Sequence, residues 1–119
     1  MVEEWTTEID DGKGISKFIF WHSNGIKASE GGFIKEDLNG RFLDWDKDGM
    51  KIGDRVYKND KLNGKEISWY ESGAKKSEVE YKDDKENGKS IEWDAKGNII
   101  KEQEYKEGVM VKDYLAPTK

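Results

Sequence analysis

Trp21, Trp45, Trp69 and Trp93 stand 24 residues apart, and three further columns keep the interval: Gly25/Gly49/Gly73/Gly97, Phe33/Tyr57/Tyr81/Tyr105 and Gly40/Gly64/Gly88. A fixed period constrains a chain more than composition does, because each copy must fold as one supersecondary unit and bury its apolar surface against its neighbours. The copies run 16–39, 40–63, 64–87 and 88–111, with Ser16 where the others open on Gly. Half-units flank them: Ile9 to Gly12 matches Tyr105 to Gly108, and Tyr114-Leu115 matches Phe42-Leu43. The expected organisation is a single repeat domain over 1–119, with an N-terminal half-unit at 1–15 and a C-terminal cap at 112–119.

Within a copy, a short run such as Gly64 to Trp69 leads into a Ser-Gly turn, and Lys75 to Tyr81 leads into Asp-Asp-Lys-Glu-Asn-Gly at 83–88. The pattern reads strand, turn, strand, turn. Asn-Gly and Asp-Gly tolerate the positive φ that tight hairpin turns demand. Asn24-Gly25, Asn39-Gly40, Asp48-Gly49, Asn63-Gly64 and Asn87-Gly88 all fall between the runs. No stretch of useful length repeats its apolar residues at helical spacing. The predicted class is all-β: tandem hairpins forming an elongated antiparallel meander of about nine or ten strands.

A strand alternates its faces, so every second residue shares a surface. The first strand of each copy places Lys17/Arg41/Lys65/Lys89, Ile19/Leu43/Ile67/Ile91 and the Trp column on one face. If the Phe33/Tyr57/Tyr81/Tyr105 column joins that face from the second strand, stacked hairpins bury a ladder of Ile, Trp and Tyr. The rings are then expected over the glycines that open each copy, since an aromatic over a strand glycine restores lost contact. The opposite face changes along the chain: its first half should present Phe18, Phe20, Phe42, Ile52 and Val56, and its second half Glu66, Ser68, Tyr70, Lys76, Glu80, Ser90, Glu92 and Glu104. An apolar half-face is either covered by its own chain, here residues 1–11 with Val2 and Trp5, or used for a partner, a second copy included.

Charged residues make up 39% of the chain and apolar ones 34%, a balance that by itself favours disorder. Five Trp, five Tyr and four Phe argue otherwise, because each ring can remove roughly 150–250 Å² from water. A net charge of −5 repels phosphate backbones and anionic lipid surfaces, which disfavours nucleic acid and membrane as partners. With no cysteine, disulfide frameworks and cysteine-rich zinc sites are excluded. No leader-like segment and no run of about 20 apolar residues occurs, so a cytoplasmic location is the expectation.

Catalytic signals are weak. His22, the one histidine, shares its column with Asp46, Tyr70 and Asp94, so the repeat does not maintain it. Neither a Gly-x-Ser-x-Gly elbow nor a phosphate loop occurs. Glu30, Asp54, Glu78 and Glu102 form a carboxylate column, but each has Lys neighbours, and acid/base carboxylates need an enclosing pocket. Asp44-Trp45-Asp46-Lys47-Asp48-Gly49 matches the first half of a calcium loop, yet Arg55 stands at the twelfth position, where a bidentate Glu should complete the shell. No catalytic residue, metal or cofactor is assigned.

Gly64 to Asp83 spells G-K-x-I-x-W-x-x-x-G-x-x-x-x-E-x-x-Y-K-D. On these residues the chain resembles bacterial variant MORN-repeat proteins, often called YwqK-family antitoxins. The resemblance covers about residues 9–115 and is closest in 64–87 and 88–111. Copy 16–39 departs at Ser16 and at Gly31-Gly32, where its second strand should bulge or weaken. The resemblance implies an elongated hairpin array that binds protein toxins as an antitoxin or immunity partner, and it carries over no catalytic residue.

The expected function is therefore a non-catalytic protein-binding module that neutralises a partner by covering it, its acidic charge meeting a basic surface. The residues expected at the contact are Phe18, Phe20, Phe42, Asp44, Asp46, Ile52 and Val56, with Glu80, Glu92 and Asp94 as the electrostatic set. Trp21, Trp45, Trp69, Trp93, Tyr57, Tyr81 and Tyr105 are assigned to structure. Two alternatives stand beside this: a carbohydrate-binding module that stacks sugars on exposed Trp rings, and an oligomeric scaffold that joins copies through edge strands.

Overall fold

The computed structural model describes Val2–Glu4 and residues 15–115. Its strands are β1 Val2–Glu4, β2 Ile15–Trp21, β3 Lys27–Ile34, β4 Asp37–Leu38, β5 Gly40–Trp45, β6 Lys51–Lys58, β7 Lys61–Leu62, β8 Gly64–Trp69, β9 Lys75–Lys82, β10 Lys85–Trp93, β11 Ile99–Lys106 and β12 Val109–Asp113. They form one antiparallel sheet. Ten strands follow one another across it in chain order, while β4 lies on β3 and β7 on β6. No helix occurs among the described residues. The molecule measures 59 × 33 × 15 Å, and since stacked sheets sit about 10 Å apart, a 15 Å thickness holds a single layer with side chains on both surfaces.

Val2–Glu4 lengthen this layer at one edge. Val2 stands opposite Trp21 and Glu4 opposite Ile19 in the β1–β2 ladder. These three residues extend the sheet instead of crossing its face, which corrects the cover expected of them; Trp5 to Asp11 lie outside the described residues.

The hairpin at each Trp closes as expected. The amide of Gly49 donates to the Asp46 carbonyl and the Asp46 amide to the Met50 carbonyl, and Gly49 has a φ of +87°. Beyond this turn the second strand carries one extra residue. Trp45 pairs with Lys51, but Asp44 pairs with Gly53, leaving Ile52 as a bulge. The same shift leaves Ala28, Lys76 and Ile100 in the other three hairpins.

A one-residue slip moves every side chain of a strand to the other surface. The bulge therefore overturns the expected sharing of faces: Phe33, Tyr57, Tyr81 and Tyr105 lie opposite Ser16, Gly40, Gly64 and Gly88, away from the Trp column. By the same step Val56 and Glu80, opposite Arg41 and Lys65, belong to the Trp face, as does Glu104, opposite Lys89. One surface, the Trp face, now carries the Trp, Ile/Leu and basic columns. The other, the Tyr face, carries Phe18, Phe20 and Phe42 together with the Phe/Tyr column.

The turns that join one hairpin to the next also differ from expectation. Asn59-Asp60 and Asp83-Asp84 both have positive φ, with values of 50° and 69° for the first pair and 50° and 70° for the second, which defines tight primed turns without glycine. The Asn-Gly pairs lie four residues further on and splice repeats together. Asn63 accepts the Asp83 amide at 3.2 Å, Asn39 the Asn59 amide at 3.0 Å and Asn87 the Glu107 amide at 3.0 Å. Asp60 and Asp84 answer from the other side by accepting the amides of Leu38 and Leu62 at 2.7 Å. Each copy thus fixes the turn of the next.

The apolar core is small and lies on the Tyr face of the first two copies. Phe18, 9% exposed, and Phe42, 4% exposed, are buried there. The Phe18 ring centre is 5.5 Å from Phe42 and 5.8 Å from Phe33, and Phe42 is 4.8 Å from Tyr57, spacings at which tilted aromatic pairs attract. Gly31 makes this packing fit, since a Cβ on it would fall 2.7 Å from the Phe42 ring and 2.8 Å from Phe18. The Phe18 and Phe42 rings therefore cover a mid-strand glycine, while Tyr57, Tyr81 and Tyr105 stand across the ladder from Gly40, Gly64 and Gly88, which open the copies. Gly31-Gly32 do not interrupt β3, whose bulge is at Ala28.

Candidate functional site

On the Trp face each copy repeats one ionic motif. Asp54 receives Arg41 through Nε at 2.9 Å and Nη2 at 2.5 Å, with the Lys51 ammonium 3.8 Å away. Glu30 pairs with Lys27 at 2.9 Å, Glu78 with Lys65 and Lys75, and Glu102 with Lys89 at 3.1 Å. The carboxylate column is thus consumed by neighbouring cations. The Lys27, Lys51 and Lys75 ammonium groups also lie 5.6, 4.7 and 5.7 Å from the ring centres of Trp45, Trp69 and Trp93, each belonging to the next copy. The four Trp are half-buried. On this face the ion pairs lie within copies and the lysine–Trp contacts couple consecutive ones.

The turn column alternates in role. Asp46 Oδ1 accepts the amides of Asp48 and Met50, and Asp94 Oδ1 those of Lys96 and Asn98, at 2.9 to 3.0 Å. These amide bonds hold the Asp94 carboxyl below the usual carboxylate range, led by those from Asn98. His22 and Tyr70, in the same column, reach across to the next copy instead: His22 Nε2 lies 2.9 Å from the Trp45 carbonyl, and the Tyr70 hydroxyl donates to that of Trp93 at 2.7 Å. Asp44 is on the Tyr face, paired with Arg55 at 2.6 Å and accepting the Ser29 hydroxyl at 2.8 Å. Asp44 and Asp46 are therefore engaged separately, and no cluster of three or more metal-ligating side chains occurs among the described residues.

The Tyr face changes character along one row of the sheet. Phe18 and Phe42 are followed at the same register by Glu66 and Ser90, and Phe20 and Asp44 by Ser68 and Glu92. In the last two copies, Tyr81 sits between Gly64 of β8 and Glu86 of β10. Burial, and then the carboxylates of Glu66 and Glu86, hold its phenol above the ordinary range. Glu92 faces Lys101 on the same surface. A half-buried aromatic framed by carboxylates, on a layer with no second sheet among the described residues, is a surface suited to a cationic partner.

The residues expected at a contact are therefore not one cluster. Phe18 and Phe42 are buried and support the Tyr face from beneath; Phe20 is half-buried beside Phe18, with ring centres 5.1 Å apart. Val56 is on the opposite face, as is Glu80, whose side chain lies over Gly88, and Ile52 is the unpaired bulge residue. Asp46 and Asp94 cap their own turns. Glu92 alone of the ten shares the Tyr face of the last two copies with Glu66, Tyr81 and Glu86. The signal that would have found these three is the bulge, which puts the Tyr column and the Phe42/Glu66 column on one surface.

Residues 62–83 and 86–107 each match the family model described as MORN repeat variant. These MORN repeat matches fall on the last two copies, and run from one inter-repeat splice to the next primed turn. Residues 16–61 lie outside them; the first copy departs at Ser16 and Gly31-Gly32, whereas the second keeps Gly40, Trp45, Gly49 and Tyr57. No curated protein matches the chain.

Proposed function

We propose that this chain is a non-catalytic protein-binding module of the antitoxin or immunity kind, which neutralises a basic partner by covering it. The observation that carries the reading is the acidic aromatic surface of copies three and four, with Tyr81 between Glu66 and Glu86, and Glu92 further along the same face. Two MORN repeat matches over the same residues support a binding role for this part of the chain. The mechanism is steric occlusion by a thin, wide sheet, with carboxylates steering the approach, so charge acts more on association rate than on residence time. A cytoplasmic setting is part of the proposal. In the test, the product of the neighbouring gene is expressed alone and together with this chain. Growth arrest relieved by co-expression supports the reading, provided Glu66→Lys with Glu92→Lys removes the relief. Arrest that the unaltered chain does not relieve contradicts it.

A second reading, an oligomeric scaffold, draws on the far edge. In β12, Val109, Met110 and Val111 are exposed, and Ile99 and Ile100 next to the last Trp hairpin are exposed as well. An apolar edge strand is a template for pairing with another strand. Sedimentation separates the readings: a concentration-dependent dimer lost in Val111→Lys supports the scaffold, and a monomer at all concentrations opposes it. For sugar stacking, Lys27, Lys51 and Lys75 already occupy one side of three Trp rings.

A further inference from the structure

Gly32 stands where the other copies carry side chains. Its column continues as Val56, Glu80 and Glu104. The Val56 Cβ is 3.5 Å from the Cβ position of Gly64, and the Glu80 Cβ is 3.0 Å from that of Gly88. Between the first and second copies the matching residues are Gly32 and Gly40, and nothing lies within 4 Å of the Cβ position on Gly40. A cavity of about 520 Å³ opens there on the Trp face, walled by Ile34 and Leu43 and flanked by Lys17 and Arg41.

The two cations are not equivalent. Arg41 is held by both oxygens of Asp54. Lys17 stands opposite Gly32, whereas Lys65 stands opposite Glu80 and Lys89 opposite Glu104. Lys17 makes no ion pair among the described residues, and Glu30 on the cavity wall is taken by Lys27. The first copy thus lacks the side chain that fills this place, and its Glu30, the counterpart of the Glu78 and Glu102 that pair with Lys65 and Lys89, is held by Lys27.

We propose that the cavity is a recognition site for a glutamate side chain of a partner protein, lying over Gly32 and Gly40 with its carboxylate at Lys17. The occupant takes the place that Glu80 takes over Gly88. Its methylenes lie against Leu43 and Ile34, where burial of apolar surface is favourable, and its charge meets the one cation of the site without a partner. The inference rests on the protein-binding reading and adds a contact on the face opposite the acidic one.

The test is an amide chemical-shift titration of the full chain with acetyl-Val-Glu-Val-amide and, separately, its Gln counterpart. The Glu peptide should shift the Lys17, Gly32 and Gly40 amides saturably and bind about threefold to fivefold more tightly than the Gln peptide, the span an exposed ion pair supplies. Lys17→Gln should make the two peptides equal. Gly32→Val should abolish both, its Cβ needing only a small shift from the Ser16 carbonyl 3.2 Å away; if that variant does not fold, Lys17→Gln carries the test. Equal binding of the two peptides to the unaltered chain, or a preference that survives Lys17→Gln, overturns the proposal. Either failure leaves the growth test intact, since that test is read through Glu66 and Glu92.

Discussion

The Lys51 ammonium lies 4.7 Å from the centre of the Trp69 ring, and the two residues belong to consecutive copies. The contact couples neighbours that share few ladder pairs, since β6 and β8 pair only at Gly53 with Ser68 and at Asp54 with Ile67. In a repeat array such interfaces set how far unfolding spreads. Lys51→Gln should lower stability by about 0.5–1 kcal/mol in urea unfolding, the range for exposed cation–π pairs. It should also raise acrylamide access to Trp69 in a chain whose other Trp are replaced by Phe. Unchanged quenching would show that the lysine does not cover the ring.

Asp54 should make stability sensitive to acid. Hydrogen bonds from Arg41 hold its carboxyl below the usual range. A pKa depressed by folding contributes stability that is full above the unfolded value of about 3.9 and is lost as pH falls through the lower folded value. Unfolding midpoints taken downward from about pH 4 should fall more steeply in the unaltered chain than in Asp54→Asn. Parallel slopes would mean the pair contributes no linkage.

Gly31 should tolerate no side chain. Gly31→Ala puts a methyl against the buried rings of Phe18 and Phe42 and should cost about 1–3 kcal/mol, the range for overpacking. The readout is the urea midpoint together with the ring-current shifts of Phe42. Neutral stability with unmoved shifts would contradict the packing described.

The period, the strands and the Gly25/Gly49/Gly73/Gly97 turns were legible in the sequence because each rests on local chemistry repeated four times. The faces were not. Trp45 and Tyr57 are twelve residues apart, an even number, and an unbroken hairpin puts them together. Nothing in Ala28, Ile52, Lys76 and Ile100 announces a bulge, since no one residue type runs through the column. Asn63-Gly64 misled for a related reason: glycine there serves a splice, with a φ of +111°, while Asn59-Asp60 supply the positive φ of the turn. The site suffered accordingly. Glu66 and Glu92 were read correctly onto the solvated surface, but Tyr81 was assigned away from it and Glu80 onto it.

The bulge residue matters by its presence more than by its side chain. Ile52→Ala, at a half-buried position, should cost about 1–2 kcal/mol, below the range for fully buried Ile. Deleting Ile52 returns β6 to even pairing and drives Tyr57 to the Trp face, so cooperative unfolding should be lost from the first two copies. Circular dichroism melts of both variants check this, and a deletion as stable as Ile52→Ala would contradict the register.

The most direct measurement compares charge reversals of equal size on the two faces. Glu66→Lys with Glu92→Lys alters the Tyr face, and Glu80→Lys with Glu104→Lys alters the Trp face, so net charge changes identically. Association of each variant with the partner identified by growth rescue is followed at low and high salt. The account expects the Tyr-face pair to slow association by about tenfold or more at low salt, with the difference shrinking as salt screens it, and the Trp-face pair to change it little. Equal slowing by both pairs would mean that net charge alone steers the partner, and would contradict the assignment of the contact to the Tyr face.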